Sequence, residues 1–143
     1  MEVKNIWTDD DFESMNWHDN YIHSISFPGD TSKIILDIDY LFEWKLNEDE
    51  NLYNFWISPC WLIFENVLNV KVDLDFKESI GLDIENIKRL NSRLSPNGKV
   101  NIRDYLIDTD KGLITFESTG YILKVKKQPI LSCSQYLPRE EFL

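Results

Sequence analysis

Two stretches of the chain alternate strictly between apolar and acidic residues. In Lys33–Trp44, Leu36, Ile38 and Tyr40 alternate with Asp37 and Asp39; in Asn69–Phe76, Val72, Leu74 and Phe76 alternate with Asp73 and Asp75. A period of two is that of a half-buried strand, so both are predicted as strands with an apolar face inward and an acidic face outward. Ahead of them, Thr8 and Asp11 resemble a capping box. Acids crowd Asp9 to Glu13, where a helix N-terminus favours negative charge, and a short helix is predicted over 9–15. Trp17-His18-Asp19-Asn20 reads as a turn, because Asp and Asn side chains bond their own backbone there. Tyr21–Phe27 is a first strand, joined to Lys33–Trp44 through the turn Pro28-Gly29-Asp30. The polar run Asn47–Asn51 is a second hairpin loop. It leads into Leu52–Ser58, a strand that Pro59 should end, and then into Cys60–Val67, apolar on both faces at first like a central strand. Together with Asn69–Phe76 these strands predict an antiparallel meander.

Further on the pattern weakens. In Ser79–Leu94 the spacing of Ile80, Ile84, Ile87 and Leu94 suits a helix with Asp83 as cap, whereas Gly81 and the β-branched isoleucines argue against one. Ser95-Pro96-Asn97-Gly98 is a turn. Val100–Ile107 and Leu113–Ser118 are strands joined by a loop whose Gly112 supplies positive φ, and Tyr121–Lys127 follows, with Lys126 and Lys127 suited to blunting a sheet edge. The tail from Ile130 to Leu143 reads as extended, with Tyr136, Leu137 and Phe142 available to dock on the core. About eight strands and one or two short helices make a mainly β chain, 1–143 as one domain, built as an antiparallel sandwich or a partly open barrel.

Composition narrows the partners. The chain has 143 residues, enough for one core without staples, and 43% of them are hydrophobic. Net charge is −10, from 25 acidic and 15 basic residues, a field that repels nucleic-acid phosphates and anionic membranes and suits either a merely solubilising surface or a docking face for a basic protein. Neither nucleic acid nor membrane is expected as a partner. Cys60 and Cys133 lie in no metal-ligand spacing, the N-terminal stretch has no signal-peptide pattern, and the longest apolar run, Cys60–Phe64, is too short to cross a bilayer. A cytoplasmic protein with reduced thiols is the expectation.

The four aspartates Asp37, Asp39, Asp73 and Asp75 are the sharpest candidate feature. On neighbouring strands their like charges would need a hard cation, a basic partner or nearby lysines such as Lys33, Lys71 or Lys124; on separate strands each pair is a solvated face. His18 beside Asp19, with His23, could orient a base or ligate a metal; the structural reading has Trp17 plugging the core while His18, Asp19 and Asn20 bond the loop. No GxSxG elbow, phosphate loop, CxxC or HExxH occurs, so no catalytic set and no cofactor is predicted. The aromatics Trp44, Tyr53, Phe55, Trp56 and Trp61 are expected mostly in the core, with one or two of Trp44, Tyr53 and Trp56, which flank the acidic loop, available as anchors.

A likeness rests on Asn16-Trp17-His18-Asp19-Asn20 with Ile22, on Leu36-Asp37-Ile38-Asp39-Tyr40, and on Phe55-Trp56-Ile57 and Phe64-Glu65-Asn66-Val67. It continues through Gly112 with Ile114, Phe116 and Thr119-Gly120-Tyr121, and through Pro129-Ile130-Leu131 with Ser134-Gln135. In these segments the chain resembles an uncharacterised family of small bacterial cytoplasmic proteins that carries no established activity. The Trp-His-Asp opening is also similar to that of some immunity proteins of polymorphic toxin systems, which implies neutralisation of a toxin. The expected function is therefore a non-enzymatic protein-binding domain for a basic partner. The alternative is a metal-dependent enzyme or metal-binding domain using the aspartate strands, and a third reading is self-association through edge strands.

Overall fold

The computed structural model describes residues 1–139 and sets ten strands in one antiparallel sheet. In chain order these are β1 (Ile6–Thr8), β2 (Asn20–Ser26), β3 (Ile34–Asn47), β4 (Leu52–Glu65), β5 (Leu68–Leu74), β6 (Asp83–Leu94), β7 (Asn101–Thr109), β8 (Gly112–Ser118), β9 (Gly120–Val125) and β10 (Ile130–Ser132). A 3₁₀ helix, Asp9–Ser14, follows β1. Its capping box forms as the sequence predicts, with Asp10 N–H donating to the Thr8 hydroxyl and Thr8 N–H to Asp11 Oδ2.

The strands lie in the order β1-β9-β4-β3-β2-β6-β7-β8-β5, with β10 alongside the first half of β4. The sheet is mainly β architecture that coils without closing. Phe64 on β4 meets Tyr105 on β7 at 5.2 Å and Phe116 on β8 at 4.7 Å between ring centroids. The chain crosses the gap at Ser118-Thr119-Gly120, where Ser118 Oγ and Thr119 N–H both donate to the Glu65 carbonyl. Leu36, Ile38, Leu62, Phe64, Tyr105 and Leu123 are among the residues that fill the enclosed core. The expected β-rich chain with a partly open, barrel-like sheet is therefore what forms.

Several elements differ from the sequence reading. Ser79–Leu94 holds no helix; Asp83–Leu94 is strand β6. Leu52–Ser58 and Cys60–Val67 merge into the single strand β4, which runs through Pro59. The Pro59 carbonyl accepts from Lys126 N–H just past the end of β9, so the missing donor faces that side and the β3–β4 ladder keeps its bonds; only the reciprocal bond to Lys126 is forgone. The meander stops at β4: β5 crosses to the far edge and pairs with β8. β9 is not an edge, since it lies between β1 and β4. In the tail, Leu137 packs on Leu41, Phe55 and Ile57 as expected. Phe142 lies outside the described residues.

Candidate functional site

The two aspartate strands do not meet. β2, β6, β7 and β8 lie between β3 and β5, so Asp37 and Asp39 are remote from Asp73 and Asp75. Nor is the first pair an outward acidic face: Asp37 is 9% exposed and Asp39 is 0% exposed. Both faces of β3 are covered. Leu36, Ile38 and Tyr40 face the main core, and the opposite face of β3 is covered in turn by the C-terminal segment.

That cover is held by charge. Arg139 Nη2 bridges Asp37 Oδ1 at 2.9 Å and Asp39 Oδ1 at 2.8 Å, and its Nε reaches Asp37 Oδ2 at 3.2 Å. Leu137 N–H donates to Asp39 Oδ2 at 2.7 Å, and His23 Nε2 lies 2.7 Å from the same oxygen. A bulge in the β2–β3 ladder between Ile22 and Ser24 adds the residue that brings His23 there. Lys126 Nζ bonds Asp37 Oδ1 at 2.7 Å while lying 3.5 Å from the centre of the Trp61 ring. Burial pushes the Asp37 carboxyl up, but the hydrogen bonds from Arg139 and Lys126 outweigh it and hold the group below the ordinary carboxylate value. Both carboxylates are thus satisfied inside the protein and offer no free charge to a partner. Beside them a cleft of about 570 Å³ is lined by Ile57, Lys126, Lys127, Leu137 and Arg139.

The thiol nearest this cluster is inert. Cys60 is fully buried and donates to the Ser58 carbonyl; burial pushes its pKa up to about 12, which keeps it protonated.

Trp17-His18-Asp19-Asn20 takes the structural role. Trp17 is buried, edge-on to Tyr40 and Tyr121 with centroids 5.6 Å from each. Asp19 has φ 64° and donates its N–H to the Ile84 carbonyl, which anchors the turn to β6. Asn20 is also buried; its side-chain oxygen accepts from Leu41 N–H. His18 lies 3.5 Å from Asp19 and 3.3 Å from the Glu85 carbonyl, while His23 is turned to Asp39, so the two histidines serve different sites.

The exposed chemistry is elsewhere, at the end of the β3–β4 hairpin. Asn47-Glu48-Asp49-Glu50-Asn51 forms its tip, with Asn51 in the left-handed region at φ 54°. Trp44 is 36% exposed, Tyr53 51% and Leu52 61%, and Leu46 is exposed too. Most of the predicted core aromatics therefore stand at the surface; Phe55 is buried and Trp56 half-buried. Trp44 is nonetheless held in place, edge-on to Phe55 at 5.1 Å and Tyr53 at 5.9 Å and stacked on His18 at 6.4 Å. A groove of about 410 Å³ runs along Trp44, Glu50, Leu52, Tyr53 and Phe55.

A second charged cluster had no signal in the sequence. Asp9 Oδ2 pairs with Arg89 at 2.7 Å and with Arg103, and Asp9 Oδ1 accepts from the Tyr105 hydroxyl at 2.6 Å. Its members come from three separate parts of the chain.

No family model, curated protein or solved structure matches this chain. Among the described residues, no group of three or more His, Cys, Asp or Glu side chains converges as a metal site would require, and no helix is long and apolar enough to cross a membrane.

Proposed function

We propose that the protein binds a basic protein partner through the tip of the β3–β4 hairpin, in the manner of a cytoplasmic immunity-type protein. The supporting observation is the pairing of exposed, immobilised aromatics with acids. Trp44 and Tyr53 stand beside Glu48, Asp49 and Glu50 at the end of a long hairpin. The acids, with the net charge of −10, would speed encounter with a cationic surface, and the aromatics would anchor it once the water has left. Because Trp44 is already packed on Phe55 and His18, little side-chain entropy would be lost on docking. In this proposal the hairpin aromatics and acids take over the docking role from Asp37 and Asp39. The metal alternative depended on the two aspartate strands lying together; with four strands between them, no observation favours it.

The experiment is capture from the source cell's lysate with the wild type, with Trp44→Ala, Tyr53→Ala, and with Glu48→Lys, Asp49→Lys, Glu50→Lys. The expected result is one basic protein that salt releases, with binding weakened about 30-fold or more by removal of the aromatic anchors and lost with the charge reversal, at unchanged circular dichroism. Equal capture by all three proteins, or a retained partner that is acidic, would overturn the proposal.

A further inference from the structure

The two edges of the sheet are unlike. β1 is three residues long and runs straight into the 3₁₀ helix, which limits what can pair with it. β5 is seven residues long, pairs among the described residues with β8 alone, and is exposed from Leu68 to Asp73. The direction of its free backbone groups follows from one bond. Asp75 N–H donates to the Lys111 carbonyl on the β8 side, so by alternation Lys71 and Asp73 also point their backbone groups at β8, whereas Val72 and Leu74 point theirs outward. An extended row of unpaired donors and acceptors is a template for another strand.

The side chains specify which strand. Val72 lies opposite the buried Ile114 and Leu74 packs against the core, so the apolar side of β5 continues the core face to the margin of the sheet. On its other side Lys71 and Asp73 make no ion pair among the described residues. We infer that β5 pairs antiparallel with β5 of a second copy, about a two-fold axis through Val72. In this register Val72 faces its twin, Val70 faces Leu74, and Lys71 faces Asp73 twice, once on each side of the axis. Moving the axis one residue toward the N-terminus sets Lys71 against Lys71; moving it one residue the other way sets Asp73 against Asp73. Directly opposed like charges destabilise a strand pair and opposed unlike charges stabilise it, so one register is selected. The bulge between Leu68 and Lys71, with Asn69 at φ 55°, ends the regular stretch and confines the pairing to about Val70–Leu74. So short a ladder makes a dimer that forms with rising concentration. It leaves the β3–β4 hairpin free, and so stands or falls apart from the proposed partner surface.

The test is sedimentation equilibrium from about 10 μM to about 1 mM, a range that reaches weak interfaces. Four proteins are compared: wild type, Lys71→Asp, Asp73→Lys, and the double variant Lys71→Asp, Asp73→Lys. Both positions are exposed, so circular dichroism should be identical throughout. The expected result is a concentration-dependent wild-type dimer, single variants that stay monomeric because each opposes two like charges, and a double variant that dimerises again with its charges exchanged. A monomeric wild type over the whole range, single variants that dimerise as well as wild type, or a double variant that stays monomeric would each overturn the inference.

Discussion

At the scale of single residues, stability is concentrated where acids are buried. Asp39 has no exposed surface, and its oxygens accept from Arg139, from Leu137 N–H and from the ring of His23. Removing one partner of a buried ionic group leaves the others uncompensated, so Asp39→Ala should cost about 3 kcal/mol in urea unfolding. Asp37 and Asp83 then give opposite pH signatures. For Asp37, burial is overcome by Arg139 and Lys126, so the folded state binds the proton less tightly than the unfolded chain. Its contribution is complete above the ordinary value of 3.8 and is lost as pH falls through the lowered one. For Asp83, burial first and then the neighbouring Asp110 and Asp19 carboxylates raise the pKa, so the folded state pays for the ionised form at neutral pH. Asp83→Asn is therefore expected to raise the melting temperature at pH 7. The gain should disappear below the ordinary value of 3.8, where the wild-type carboxyl is protonated in both states.

At the scale of elements, glycine decides one junction. Gly112 has φ 142°, and a Cβ there would run into the Asp73 carbonyl oxygen. The obstacle is backbone of β5, which cannot rotate away. Gly112→Ala should accordingly cost about 3 kcal/mol by combining left-handed strain with a steric clash, and hydrogen exchange should show β5 losing protection before β3 and β4. The same strands show what could be read from the chain. Most of the long strands and the capping box announced themselves because their signals are local. β6 did not, and its bulges explain the failure: an extra residue between Ile84 and Asn86 stretches the spacing of the buried Ile84 and Ile87 to three, the step of a helix. The fate of Asp37 and Asp39 was hidden for a different reason. Alternation shows that a residue faces away from the core, but not that a segment some hundred residues later will cover it with Arg139. The hairpin aromatics were marked by the polar loop between them, yet their exposure depends on the hairpin outrunning the body of the sheet.

At the scale of the whole molecule, an open coiled sheet needs something to hold its halves together. The backbone link between β2 and β6 is short, pairing Asn20 with Ile84 and Tyr21 with Asp83. Asp9 supplies a second link from the opposite side. It stands at the start of the 3₁₀ helix beside the β1 edge, yet its carboxylate binds Arg89 on β6 and both Arg103 and Tyr105 on β7. Arg89 in turn lies 4.4 Å from the centre of the Phe12 ring, so the helix is clasped by charge and by an apolar contact. Burial, followed by the Asp9 hydrogen bond, raises the Tyr105 hydroxyl above its ordinary pKa and keeps it a proton donor to the carboxylate at neutral pH. Asp9→Ala would leave Arg89 and Arg103 together in a partly buried site with only the exposed Glu13, beside Arg89, to offset them, at a cost of about 3 kcal/mol. The loss should be regional as well as global. Hydrogen exchange is expected to accelerate first in β1 and the 3₁₀ helix, next along β6 and β7, and last in the β3–β4 pair, whose ladder does not depend on Asp9. A uniform acceleration across all strands would mean instead that the β2–β6 seam alone sets the cooperativity of the sheet.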